Sequence, residues 1–210
     1  MKTALIATIG FDEKFCYRAI MRHGIKKGDR VILISGKITD RVEKACDWVK
    51  KLLKTSYGDE VTVDFVEIDI NSLENSIKTV SSLIEELSNY HIVVNLSGGM
   101  RALVIIVLLS CIKTSKDLEI EIETEDFQGL LTISKKLLKL IKNPLPEDKV
   151  EILKKIAAGT SDARSLSDLL DRDITTVRRH LSFLKELDLI TVEKRKPLRF
   201  KITELGKMFV

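Results

Sequence analysis

Residues 91–110, HIVVNLSGGMRALVIIVLLS, decide the fold. His91–Ser97 is a short β-branched apolar run, the pattern of a strand buried on both faces of a parallel sheet. From Gly99 to Lys113 the chain stays apolar at helix length, so a strand feeds directly into a helix. Upstream, Lys2–Thr8 (KTALIAT) and Arg30–Ser35 (RVILIS) repeat the strand signature, and Val61–Glu67 (VTVDFVE) supplies another. Between them, Leu73, Ile77, Val80, Ile84 and Leu87 form one helical stripe, and Val42, Ala45, Cys46, Val49, Leu52 and Leu53 form a second, each able to cover a sheet face. This alternation predicts right-handed crossovers and a doubly wound, mostly parallel Rossmann-like α/β sheet.

Beyond residue 117 the pattern changes. Leu118–Glu123 (LEIEIE) alternates strictly, which predicts one solvated face. Phe127-Gln128-Gly129 then leads into Leu130–Ile133, an expected terminal antiparallel hairpin. A helix-like stretch, Ser134–Lys142, runs into Asn143-Pro144-Leu145-Pro146, whose prolines forbid further helix. The expected organisation is a Rossmann-like domain over 1–133, a linker helix and Pro-containing hinge over 134–146, and a second domain over 147–210.

Composition excludes several classes. With 44% hydrophobic and 31% charged residues in 210, the chain has material for a real core and is not disordered. Its longest apolar run, Ala102–Leu109, is far short of the ~20 residues of a membrane span, and the N-terminus lacks a secretory apolar region, so a cytoplasmic protein without membrane contact is expected. Cys16, Cys46 and Cys111, like His23, His91 and His180, are scattered without metal-ligand spacing, so no metal or other cofactor is expected and the thiols read as reduced packing residues. Gln128 is the single glutamine while Lys and Glu abound, a bias seen in proteins from hot environments. The net charge of +4 is concentrated near the C-terminus: residues 147–210 carry 14 Lys/Arg against 11 Asp/Glu, and the first 146 carry 21 against 20.

The C-terminal region is strongly patterned. Val150, Leu153, Ile156 and Ala157 make one helix stripe. Ser165-Leu166-Ser167-Asp168 reads as a capping box opening a second helix. A third helix, roughly Thr175–Leu187, turns Ile174, Val177, Leu181 and Leu184 inward, with His180 packed near Val177 and Leu184. Leu189–Glu193 and Leu198–Ile202 pair around a basic tip, Lys194, Arg195, Lys196 and Pro197, with Leu198, Phe200 and Ile202 alternating inward. Three helices and a basic hairpin make a winged helix-turn-helix. The outward face of its third helix shows Thr175, Thr176, Arg178, Arg179, Ser182 and Lys185, types that suit base edges and phosphates of a major groove, while Arg199 and Lys201 flank the tip. A merely solvated charged surface is the competing reading. Against it, a charged helix face, a three-helix frame and a basic hairpin rarely occur together in this order. The stretch DITTVRRHLSFLKELDLITVEKRKPLRFKITELGK resembles the winged-helix domains of ArsR- and MarR-like regulators, which implies a dimer on pseudo-palindromic double-stranded DNA with recognition helices about one turn, ~34 Å, apart.

In a doubly wound sheet, ligands bind beyond the carboxyl ends of the strands where strand order reverses. With the order 3-2-1-4, the loops at that point are Thr8-Ile9-Gly10-Phe11-Asp12 and Asn95-Leu96-Ser97-Gly98-Gly99-Met100-Arg101. Gly10, Gly98 and Gly99 let backbone N–H groups approach an anion, Thr8 and Ser97 offer hydroxyls, and Arg101 adds a guanidinium fork at a helix start. Taken alone, Gly10 reads first as a residue that permits a tight turn, while Asp12 also fits a helix cap and Met100 packing. Neither a GxGxxG dinucleotide loop, a P-loop nor a nucleophile elbow is present.

The loops TIGFDEKFCYRAI and NLSGGMRAL, together with the C-terminal unit, resemble the CARF family, the CRISPR-associated Rossmann-fold sensors, and within it the archaeal transcription regulators. That resemblance implies a homodimer with one shared pocket for a cyclic oligoadenylate, first the tetra-adenylate, held by Thr8, Gly10, Phe11, Asp12, Asn95, Ser97, Gly98, Gly99, Met100 and Arg101. It implies regulation of CRISPR-associated genes through promoter DNA. Many relatives instead carry a HEPN ribonuclease domain, and no such motif follows here. Two alternatives stay open: a metal-independent ring nuclease, with Thr8 or Ser97 positioning a ribose and Arg101 stabilising the phosphorane, and a DNA-binding protein whose first domain only dimerises.

Overall fold

The computed structural model describes residues 1–210, which divide into two compact units, Met1–Leu138 and Lys139–Val210. In the first, β1 (Lys2–Thr8), β2 (Arg30–Ser35), β3 (Thr62–Glu67), β4 (Tyr90–Asn95) and β5 (Leu118–Glu123) run parallel, and β6 (Leu130–Ile133) closes the sheet antiparallel. Their order is β3-β2-β1-β4-β5-β6, so the expected reversal between β1 and β4 is present.

The double burial of β1 explains its unalternating sequence. Ala4 and Ile6 face one core, with α3 (Leu73–Glu85) and α4 (Arg101–Lys113) supplying Val80, Ile84, Leu103 and Ile106. Leu5 and Ala7 face the other, against Ala19 and Ile20 of α1 (Lys14–His23) and Val49 and Leu53 of α2 (Asp40–Tyr57). Cys16 lies in this second core, where burial pushes its thiol pKa up to about 12.

One expectation fails in β5. The alternation of Leu118–Glu123 suggests a wet polar face, yet the Glu121 and Glu123 side chains are only 5% and 3% exposed. The reason is a counter-layer from α1. Arg18 pairs with Glu123 at 2.6 Å, Arg22 with Glu121 at 3.2 Å, and His23 Nε2 lies 2.9 Å from Glu121 Oε2. Carboxylates on an otherwise apolar sheet are tolerated because cations and hydrogen bonds meet them.

The helix α5 (Lys135–Lys142) follows β6. The second unit then contains α6 (Glu147–Ala157), α7 (Ala163–Leu170), α8 (Ile174–Glu186), the antiparallel strands β7 (Ile190–Arg195) and β8 (Leu198–Ile202), and a last turn, α9 (Glu204–Lys207). Its core joins Ile152, Leu153 and Ile156 of α6, Leu166 of α7, Val177, Leu181 and Leu184 of α8, and Phe200 of β8. Gly206 permits the closing turn: a Cβ there would meet the Leu189 carbonyl and come within 2.8 Å of Ile202.

Three details of this unit differ from expectation. The cap of α7 is Asp162, whose carboxylate accepts from Arg164 N and Ser165 N at 3.1 and 3.0 Å, so Ser165 sits inside the first turn instead of opening the helix. The hairpin strands pair as far as Arg195 with Leu198, leaving Lys196-Pro197 as a two-residue turn. Leu198 keeps to the Phe200 side of β8, where both line one hollow, yet is 50% exposed, because it stands next to the turn at the hairpin tip.

Candidate functional site

A cleft of about 1160 Å³ opens over the carboxyl ends of the strands, at the reversal between β1 and β4. Its floor is backbone. A Cβ on Gly10 would stand 3.0 Å from Gly99 Cα, and one on Gly98 would stand 2.7 Å from the Thr8 carbonyl oxygen. Gly99 has φ +84°, a conformation that L side chains rarely adopt. These glycines therefore first let two loops pack against one another, and the surface they present is peptide.

Beneath the floor the loops are tied down. Thr8 Oγ1 donates to the Gly98 carbonyl at 2.7 Å. Asn95 Nδ2 donates to Glu121 Oε1 at 2.8 Å, while Asn95 Oδ1 accepts from Ser97 N at 3.2 Å. Ser97 Oγ accepts from Glu123 N at 2.8 Å, which leaves its hydroxyl proton free to donate upward. Burial raises the Glu121 pKa, but hydrogen bonds from His23, Arg22 and Asn95 and the His23 charge outweigh it and hold the carboxyl at about 2.

The structure thus sorts the expected ligand residues. Gly10, Phe11, Asp12, Ser97, Gly98, Gly99 and Met100 line the cleft. Thr8 and Asn95 are buried under it and act on the loops. Arg101 is exposed on the first turn of α4 and is not part of the lining. Met100 provides no side-chain cap to α4, so that helix start offers open N–H groups beside the glycines.

Other lining residues carry no motif. Gly36 and Lys37 follow β2, Asp69 and Asn71 follow β3, and Phe127 comes from the β5–β6 turn. Strand ends alone would have located the first four. Phe127 stacks on Phe15 with centroids 5.1 Å apart, and Phe11, 65% exposed, has the Arg41 guanidinium 5.7 Å from its ring, so the mouth offers flat apolar surfaces. No cluster of three or more His, Cys, Asp or Glu side chains is placed to hold a metal ion.

In the second unit, Thr175, Arg178, Arg179, Ser182 and Lys185 are exposed on α8, Thr176 is half-buried, and Lys194, Arg195, Lys196 and Arg199 are exposed on the hairpin. Arg178, Ser182 and Leu198 share a hollow of about 770 Å³ between α7, α8 and the hairpin. Asp173 caps α8 by accepting from Thr175 N and Thr176 N at 2.8 and 3.2 Å, so these N–H groups, which an anion would otherwise use, are already taken. His180 is buried, with Nδ1 3.3 Å from Asp148 Oδ2 but outside hydrogen-bond geometry, and burial lowers its pKa.

Residues 3–134 match the Csa3 CRISPR-associated Rossmann-like domain. The chain belongs to this family of CRISPR-associated Rossmann-fold (CARF) domains. No curated protein matches it. Among solved structures it is similar to Can2 from Sulfobacillus thermosulfidooxidans in complex with cyclic tetra-adenylate, at 10% identity and TM-score 0.49, covering 99% of this chain and 63% of that one. It is also similar to Enterococcus italicus Csm6 bound to cyclic hexa-2′-fluoro-hexa-dAMP, at 13% identity and TM-score 0.49 over 88% of this chain and 55% of that one. A third is protein VC1899 from Vibrio cholerae, at 13% identity and TM-score 0.46, with 99% and 63% covered. The chain spans less than two thirds of each. No helix is long and apolar enough to cross a membrane.

Proposed function

We propose that this chain is a ligand-responsive transcription regulator of CRISPR-associated genes, which takes a cyclic oligoadenylate, the tetra-adenylate first, in the cleft of its CARF domain and binds promoter DNA through a C-terminal winged helix. The observation that carries the ligand reading is the backbone-floored cleft at the strand reversal of a CARF domain. Peptide N–H groups, the Ser97 hydroxyl and the open start of α4 suit phosphodiester oxygens, and Phe11 suits a base. The exposed α8 face and basic hairpin support the DNA reading, with phosphate contacts falling to Arg and Lys side chains because Asp173 occupies the α8 start.

A homodimer is part of this reading. The outer side of α4 leaves Ile105 and Leu109 exposed at 54% and 39%, with Ala102 beside them, an apolar stripe that starts at the cleft and suits a second copy. Ligand would act on DNA affinity through residues 134–149. The β5–β6 turn contributes Phe127 to the cleft, and β6 leads straight into α5, so the cleft and that segment are close along the chain. A coupling of about 1–3 kcal/mol is the size to expect.

Titration calorimetry with cyclic tetra-adenylate tests this. One ligand bound per two chains is expected; absence of heat at several temperatures would overturn the ligand reading. The ring-nuclease alternative relied on Thr8, Ser97 and Arg101, of which only Ser97 lines the cleft. Chromatography of the ligand after long incubation decides between binding and cleavage.

A further inference from the structure

We propose that the α1–α2 side of the first unit is a binding surface for single-stranded nucleic acid, separate from the cleft and independent of the reading above. Residues 14–57 carry twelve Lys/Arg against four Asp/Glu, a net +8, while the other 166 residues carry 23 against 27. The chain's modest overall charge therefore hides a basic segment. Much of this charge is met by acids outside it: Arg18 and Arg22 meet Glu123 and Glu121, Arg30 meets Asp64, Lys27 meets Glu60, Lys14 meets Asp12, and Lys54 meets Asp59. What remains is concentrated on α2. Lys44 and Lys51 are exposed, form no ion pair, and stand on one helix face about 10 Å apart, while Arg41, a turn nearer the cleft, lies over Phe11.

On that face stands Trp48, the only tryptophan, 42% exposed. It meets Tyr17 of α1 edge-on, with centroids 5.8 Å apart and planes at 84°, and Tyr17 is 37% exposed. Each ring thus braces the other while keeping surface for a further partner. Met21, 55% exposed, extends the apolar surface along α1. Large side chains left in water between unpaired cations fit an anionic polymer that also brings flat rings. Single strands satisfy both demands, with phosphates on Lys44 and Lys51 and an unpaired base on Trp48 between them. A duplex would offer the phosphates but keep its bases stacked.

The lone tryptophan makes the test direct. The full chain is titrated with an oligouridylate of about fifteen nucleotides, a sequence without adenine, while Trp48 emission and the anisotropy of a labelled oligomer are recorded. Saturable quenching is expected, with affinity falling steeply with salt. Lys44→Glu combined with Lys51→Glu is expected to weaken binding by about tenfold or more, whereas Lys78→Glu, exposed on α3 across the sheet, leaves it unchanged. Lys44→Gln with Lys51→Gln, whose melting is checked, repeats the test without charge reversal. Absence of binding at low salt, binding that leaves Trp48 emission unaltered, or binding by both double variants as tight as the parent's would overturn the proposal.

Discussion

Asn95 Nδ2 donates to Glu121 Oε1 across 2.8 Å, and both side chains are shut away from water. The strand that ends in the glycine loop is thereby tied to the neighbouring strand, whose carboxylate is in turn held by Arg22 and His23 of α1. The cleft floor is fixed from below by charge.

Glu121→Gln should cost about 2–4 kcal/mol at neutral pH, because Arg22 and His23 lose their carboxylate in a largely buried place. The folded pKa of Glu121 is depressed to about 2, so its contribution is complete above the ordinary carboxyl range and disappears as pH falls from about 4.5 through about 2. Urea unfolding across that window should show a shallower acid loss in the variant than in the parent. Equal slopes would remove Glu121 from this role.

Gly98→Ala places a methyl group 2.7 Å from the Thr8 carbonyl oxygen and forces the two loops apart. About 1–3 kcal/mol of stability should be lost, and the affinity for cyclic tetra-adenylate should fall by more than that of Gly58→Ala, which is strained by its φ of +62° but stands outside the cleft lining. Calorimetry on both variants checks the difference.

Arg178→Ala should weaken binding to operator DNA by about 1–3 kcal/mol and reduce discrimination, since its guanidinium stands exposed on α8. Lys196→Ala, at the hairpin turn, should instead lower the salt dependence by about one counterion while affecting specific and random DNA alike. Equal losses on both DNAs for Arg178→Ala would exclude base reading.

Ile105→Glu puts a charge in the apolar stripe of α4 without touching its buried side. Sedimentation should show the dimer shifting to monomer, and ligand stoichiometry per chain should fall with it. An unchanged sedimentation coefficient would place the interface elsewhere.

The parallel core was legible because the runs KTALIAT and RVILIS are apolar on both faces and alternate along the chain with amphipathic helices. Glu121 and Glu123 were not, because alternation reports that a face is polar and says nothing of whether water or an arginine layer meets it. Asp162 and Ser165 both precede an apolar run, and only the bonds from Arg164 N and Ser165 N mark Asp162 as the cap. The glycine loops pointed to the cleft, but Phe127 reaches it through a turn whose path depends on sheet order. Thr8 and Asn95 were legible as important residues and not as buried ones.

Cys16 gives the molecule an internal clock. With its thiol held near 12, almost no thiolate exists at neutral pH while α1 is seated, and alkylating reagents need the thiolate. In a chain with Cys46 and Cys111 replaced by Ser, its rate of modification should therefore rise with any opening of that helix from the sheet. The same helix carries the cations that neutralise Glu121 and Glu123, so a ligand that steadies the loops above should slow the reaction without touching the cysteine.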